Sequence, residues 1–378
     1  MRTRRFGVVG FVQTRSREHK LYPSAISSSS INSTGPRCFT LGSTMASYNS
    51  TWASLQSTVH VLLLGLTRDL TAVTPHVLRT IIYHWCASAR LVHEVQFVVG
   101  KTLPPALSVG ALAGLSPSEY CEVTVKLQPA SLSESRTAHT SGESPAALNT
   151  RVERIAAIRE WQRVELRKRA GELTDSWIVL VDVDHDIRVL PHAGALGSAL
   201  QRAKADKWTL LCANGVEPSL NQDRLTTYDT FPFVGTDGFW FYKDREAGRR
   251  QFDKIAWSGD VYPVSSCFGG MAIYPFDVWM EPRCSYNTSI EALHAQGWLH
   301  FANVQDASKL LSELRSQSLC EHLRLHLCLK ATMQGSEWRA GIESQLLLIR
   351  AHSRAAAQHQ RRSRSGGGRG QRTQGGRG

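Results

Sequence analysis

Nowhere in the 378 residues does a Cys-x-x-Cys pair occur, although there are eight cysteines: Cys38, Cys86, Cys121, Cys212, Cys267, Cys284, Cys320 and Cys328. Structural zinc sites and thiol redox motifs need that spacing, so both classes are set aside. The even count permits disulfides in an oxidising compartment, and cysteine usage leaves the compartment open. Long apolar runs are missing too. No stretch reaches the roughly 18–20 apolar residues of a membrane-spanning helix. Phe6–Val12, interrupted by Gly7 and Gly10, is too short for a signal core. No solenoid-type repeat is visible. The middle of the chain also has no excess of basic charge. The formal net charge is +12, and it resides at the ends: residues 1–20 hold six Lys/Arg and one acid, residues 351–378 seven Arg and no acid. That excludes a nucleic-acid groove in the folded domain and leaves only the tails as electrostatic candidates for RNA.

Three segments follow from composition. Residues 1–57 are rich in Ser and Arg and weakly patterned, as expected of a disordered or targeting segment. Residues 58–350 are the expected folded domain, with enough of the chain's 42% hydrophobic residues for a sizeable core. Residues 351–378, an Arg/Gly-rich stretch, cannot bury a core and are expected to be disordered. Within the domain, apolar runs at Val59–Leu66, Val95–Gly100, Trp177–Val181 and Trp208–Ala213 read as buried strands, and Glu122–Leu127 as a further strand. Helices are expected at Thr74–Arg90, Thr150–Lys168, Pro191–Ala205 and Leu319–Met333. This alternation predicts an α/β fold, a mostly parallel sheet flanked by helices.

The chain is organised around Trp177–Asp186, a β-branched apolar run ending in Asp182, Asp184 and Asp186. Unpaired buried charge is costly, so carboxylates finishing a buried strand call for a cation. Hard divalent ions such as Mn²⁺ or Mg²⁺ prefer oxygen ligands and bind through one or two carboxylates plus substrate phosphates. Open α/β sheets place ligands at this end of the strands. An acidic turn after a core strand is the plainer alternative.

Four further stretches could carry chemistry. Arg151, Arg154 and Arg159 share one helix and could clamp phosphate, although the interleaved Glu153, Glu160 and Glu165 equally suit a solvated face. Tyr228-Asp229-Thr230-Phe231 offers a stacking ring and a carboxylate for sugar hydroxyls, or simply a turn. Gly269 and Gly270, after the strand Val261–Ser265, permit close backbone approach to a ligand, or a tight corner. Glu321 and His322 could act as base and metal ligand on a helix that also carries His326, or could be ordinary surface residues.

Taken in order, these stretches resemble nucleotide-sugar glycosyltransferases of the GT-A fold, a Rossmann-like architecture. Among these the chain is most similar to the fungal capsule-associated α-1,3-mannosyltransferase family and its protist and algal relatives. The resemblance rests on Arg151–Glu160, Val179–Asp184, Tyr228–Phe231, Ser266–Tyr274 and Cys320–His322, and covers about residues 59–335. It implies Mn²⁺ or Mg²⁺ held by Asp182 and Asp184, with His322 as a further ligand, against the diphosphate of a nucleotide-sugar donor. It implies that Arg151, Arg159, Gly269, Gly270 and Tyr228 contact the donor, and that Glu321 and Asp229 act on the hydroxyl of a glycan acceptor. It also implies a hexosyltransferase, of mannose among others, in the Golgi or endoplasmic reticulum lumen. Glu160 departs from the family, which has Asn there, and the membrane anchor usual in the family is not visible. Sequons at Asn32, Asn49 and Asn287 suit a lumenal protein.

Two rivals remain at this point. An Asp-x-Asp phosphohydrolase also ends a strand in aspartates, but prefers them on its first strand and Thr or Val where Asp186 stands. A non-catalytic RNA-binding protein would act through its Arg/Gly tail.

Overall fold

A computed structural model describes residues 60–66, 92–99, 122–127, 145–182, 187–218, 225–227, 229–244, 247, 255, 259–317, 319–333 and 337–350. All belong to the second of the two units into which the chain divides, Leu41–Gly378. The expected helix at 74–90, both tails, and Tyr228, Asp184 and Asp186 lie outside the described residues.

Strands β1 (His60–Leu66), β2 (Val92–Val99), β3 (Glu122–Leu127) and β4 (Ser176–Asp182) form one side of the sheet. They pair in the order β3-β2-β1-β4, all parallel. Parallel neighbours need crossover connections, and the long segments between these strands allow them. The rest is mixed: β5 (Ile187–Val189), β6 (Leu210–Pro218), β7 (Leu225–Thr227), β8 (Val234–Gly235), β9 (Val261–Ser266), β10 (Met271–Pro275) and β11 (Ala340–Arg350). The full order is β3-β2-β1-β4-β10-β6-β11-β9-β8, with β5 on β11 and β7 on β6. Parallel pairing thus holds through β4 and returns between β6 and β11, whereas β10 lies antiparallel between β4 and β6.

Strand β4 is buried from Ser176 to Val181, as a strand covered on both faces must be. Five helices of this part matter to the site or its support: α1 (Pro145–Arg167), α2 (Ala193–Ala205), α3 (Phe276–Trp279), α4 (Ile290–Ala295) and α5 (Ala307–Gln317). A sixth, α6 (Glu321–Thr332), is buried at every residue from Glu321 to Leu329 and packs on β9, α1 and α4. A helix buried all round belongs to the interior, where its polar side chains must find partners. No helix among the described residues is long and apolar enough to cross a membrane.

Two disulfides tie this part together, Cys212–Cys267 between β6 and the β9–β10 corner, and Cys284–Cys328 between the loop after α3 and helix α6. Cys320 is free and buried. Strand β11 was not expected from the sequence, yet it sits between β6 and β9 in the interior of the sheet.

Candidate active site

Helix α1 turns one face inward: Val152, Ala156, Arg159, Gln162, Arg163 and Leu166 are all buried. Those positions recur at helical spacing, so the face is polar in its middle. Arg159 is wholly buried, and its Nη2 lies 2.5 Å from Oδ1 of Asp182, the last residue of β4. Its Nη1 donates to Gln162 Oε1 at 3.4 Å, while Nε has no hydrogen-bond partner among the described residues. The solvated-face alternative therefore fails for Arg159.

The neighbouring arginine has a different task. Arg163 donates to the carbonyls of Trp279, Glu281 and Cys284 at 2.9, 3.0 and 2.7 Å, gripping the loop after α3. Glu160, where the resembling family has Asn, accepts from Ser285 Oγ at 2.9 Å and from the Tyr286 N–H at 3.1 Å. Its side chain braces that loop.

Glu321 opens α6, directly after the N-cap Cys320, where the helix's free N–H groups favour an anion. Its own N–H, Arg159, the Cys320 thiol and Arg151 all favour the carboxylate, but burial outweighs them and raises its pKa. His322 follows, 1% exposed, its ring stacked on Phe268 at 3.6 Å between centroids and edge-on to Tyr286 at 5.6 Å. Burial first, then Arg159 and His326, hold His322 far below the ordinary imidazole range, so the ring is neutral. Neither ring nitrogen has a hydrogen-bond partner among the described residues; Nε2 stands 3.6 Å from Glu321 Oε1. Surface residues they are not.

Asp229 completes the cluster. Burial, then the Asp182 and Glu321 carboxylates, push its pKa up to about 8, against the opposing pull of Arg350 and the Phe231 N–H. The Asp229 carboxyl, in the loop after β7, thus feels those at the end of β4 and the start of α6, and Arg159 acts on both of the latter.

One turn further along α6, a second buried histidine is fully partnered. His326 hydrogen-bonds Ser266 Oγ through Nδ1 at 2.8 Å and Tyr274 OH through Nε2 at 2.7 Å. This pins α6 to β9 and β10.

Gly269 (φ +61°) and Gly270 (φ +81°) form the corner before β10, in mid-sheet. A Cβ on Gly269 would stand 2.1 Å from the Ala213 carbonyl oxygen, and one on Gly215 would stand 2.2 Å from the Gly269 carbonyl oxygen. The close approach Gly269 makes is to β6, whereas the Gly270 carbonyl accepts from the Asp182 N–H at 3.0 Å.

Of the residues expected from sequence, Asp182, Arg159, Asp229, Glu321 and His322 therefore converge. Arg151 contributes at longer range, through its charge on Glu321. Sequence reasoning missed Tyr286 and Thr227, because nothing in their local pattern marks them, and took in Phe268 only as part of the stretch Ser266–Tyr274.

Among the described residues, no group of three His, Cys, Asp or Glu could by itself hold a metal ion. No protein-family model matches the chain, and no curated protein matches it in sequence. Among solved structures, the chain is similar to core-mannan synthase A from Aspergillus fumigatus in a Mn/GDP form. The identity is 8% and the TM-score 0.36, over 71% of this chain and 69% of that one. It is also similar to TarS 1–349 of S. aureus, at 9% identity and a TM-score of 0.28, over 77% of this chain and 60% of that one. The likeness is slight and one of fold alone.

Proposed function

We propose that the chain is a nucleotide-sugar glycosyltransferase that moves a hexose to a hydroxyl of a glycan or glycoconjugate. One observation carries the reading: Asp182, Asp229 and Glu321 gather around the buried Arg159 beside a neutral, unpartnered His322, where strands of an α/β sheet end and ligands bind. Like-charged carboxyls are held together at a cost, and perturbed groups in such a position favour chemistry over structure.

The residues divide the work by their chemistry. Arg159 offers a buried cation for the diphosphate, with one N–H still unpartnered. Glu321 takes the proton of the attacking acceptor hydroxyl as that oxygen bonds the anomeric carbon, and the nucleoside diphosphate leaves with the electrons of the old bond. Asp229, with its raised pKa, holds a proton near neutral pH and hydrogen-bonds sugar hydroxyls.

A divalent ion fits these donors in part. Asp182 supplies a carboxylate, and His322 a neutral imidazole with free ring nitrogens; Asp184 and donor phosphates would complete the set. When bound, Mn²⁺ or Mg²⁺ would neutralise charge on the leaving diphosphate. The two disulfides suit the secretory pathway, because such bonds persist in oxidising compartments.

The test is a donor screen with GDP-mannose, UDP-galactose and UDP-glucose in the presence of Mn²⁺, comparing the wild type with Asp184→Ala and Glu321→Gln. Metal-dependent release of nucleotide that both substitutions remove is expected. Equal release from all three proteins would defeat the assignment, and rapid turnover of simple phosphomonoesters would favour the phosphohydrolase instead.

A further inference from the structure

Among the described residues, six strands of the sheet run one way. Parallel pairing joins β1 to β4, and β10, antiparallel to both β4 and β6, returns β6 and β11 to the same direction. Their last residues are Leu66, Val99, Leu127, Asp182, Pro218 and Arg350. One is an anion and one a cation, on the edge where open α/β sheets bind ligands. Asp182 belongs to the cluster already described, and Arg350 has no part in it beyond its pull on Asp229.

Two observations bring Arg350 to the cluster. The first is chain length. Ile349 pairs with Val216 of β6 and with Val189 of β5, so β5 lies on the flank of β11 away from β6. In a flat sheet that flank is four strand spacings from β4, about 19 Å. Ile187, which opens β5 opposite Arg350, follows Asp182 by five positions. Such a length reaches about 18 Å at full extension. The end of β11 is therefore bent toward β4, and the register break between Glu343 and Leu347 supplies the bend. The second is charge. Arg350 and Asp182 act with opposite sign on the same Asp229 carboxyl, from strands on either side of β6.

The two arginines differ in what they can offer. Arg159 is wholly buried and bonded to Asp182, whereas Arg350 is partly exposed. A guanidinium at an open edge can take two oxygens of a phosphate that stays partly in water, which spares the ligand a full desolvation.

We propose that Arg350 binds the diphosphate of the nucleotide donor, its guanidinium forking across two phosphate oxygens at the sheet edge. The proposal deepens the transferase reading and rests on it for the identity of the anion. It adds a second cation to Arg159, on the side of β6 away from Asp182. An arginine that served only to neutralise Asp229 would support the fold and be indifferent to phosphate.

The experiment measures binding to the full chain by calorimetry, comparing wild type, Arg350→Gln and Arg350→Lys. Probes are GDP, UDP, guanosine, uridine and inorganic pyrophosphate, each in Mg²⁺ buffer at low and at high salt. A diphosphate that binds the wild type should lose about tenfold to a hundredfold in affinity in Arg350→Gln, the scale of a hydrogen bond to a charged group. Arg350→Lys should recover part of the loss, as a point charge without the fork. Added salt should weaken the wild type more than Arg350→Gln. Nucleoside binding and melting temperature should stay as in the wild type. GDP and UDP affinities indifferent to Arg350 overturn the proposal and leave the transferase reading standing. A loss shared by nucleoside and diphosphate, with a lowered melting temperature and no recovery in Arg350→Lys, makes Arg350 a support for the fold and overturns it too. Pyrophosphate bound through Arg350 without any nucleotide binding would sustain the anion site and refute the transferase reading. A wild type that binds none of these probes overturns both.

Discussion

Arg159 Nη2 and Asp182 Oδ1 meet at 2.5 Å, joining the middle of α1 to the last residue of β4. The pair is unequal: the arginine side chain is fully buried, whereas that of Asp182 is 27% exposed. Removing the aspartate strands a guanidinium without its nearest anion; removing the arginine leaves a carboxylate that water still reaches. Asp182→Ala should therefore destabilise by about 3 kcal/mol, and Arg159→Met by distinctly less. Urea unfolding of both variants measures this. The reverse order would show that the pair does not govern stability here.

His326 sets an acid limit. Its ring faces Ser266, Tyr274, Trp338 and His322, none of which can neutralise an imidazolium. Burial drives its pKa down to about 3, from an ordinary value of about 6.5. A depressed histidine favours the fold while neutral, so its contribution is complete above about pH 6.5 and declines as pH falls from there toward 3. Stability followed by denaturant titration should drop across that window, and His326→Gln should flatten the decline, leaving a smaller slope of the same sign from His322. An unchanged slope in the variant would contradict the assignment.

The glycines of the β6–β10 contact provide a graded test. Gly269→Ala and Gly215→Ala both force a Cβ into backbone of the opposite strand, and Gly269 is also left-handed. Gly259 shares the left-handed conformation, at φ +70°, but an added Cβ there meets nothing within 4 Å. Gly259→Ala should then cost only the conformational strain, about 1 kcal/mol, while the other two variants should unfold at far lower temperature or fail to accumulate. Similar melting temperatures for all three would mean that β10 can move away from β6.

Compartment is tested by the cysteines and one sequon. Cys284–Cys328 closes a loop with a sequence separation of 44, for which chain entropy gives roughly 4 kcal/mol. The Cys284→Ser/Cys328→Ser double variant should lose stability on that scale. Asn287, exposed in Asn287-Thr288-Ser289, should carry glycan when the chain is made in a secretory host, read as a mobility shift after glycan removal. Full alkylation of all cysteines in native protein would dismiss both disulfides.

Much of the frame was legible beforehand. Strands β1 to β4 lie within three residues of their expected starts, because the apolar runs of β1, β2 and β4 and the apolar–polar alternation of β3 stand out locally. Helix α1 begins earlier than its capping signal, at Pro145 instead of near Thr150. Strand β11 escaped notice although it is central: its Gly-Ile-Glu-Ser-Gln start breaks the apolar run, and only pairing between β6 and β9 makes it a strand.

The sequence by itself determined the α/β frame, the acidic end of β4, and which side chains could do chemistry, since each follows from short-range pattern and residue type. Only the tertiary structure decided which of them meet. Arg159 reads as one charge among many on a polar helix until α1 packs against the sheet and buries it beside Asp182. Glu321 and His322 look like surface residues until α6 is enclosed on every side. The paired glycines take their neighbours from packing, Gly269 against β6 and Gly270 against the Asp182 N–H, because the space a residue faces is fixed by chain segments far from it in sequence.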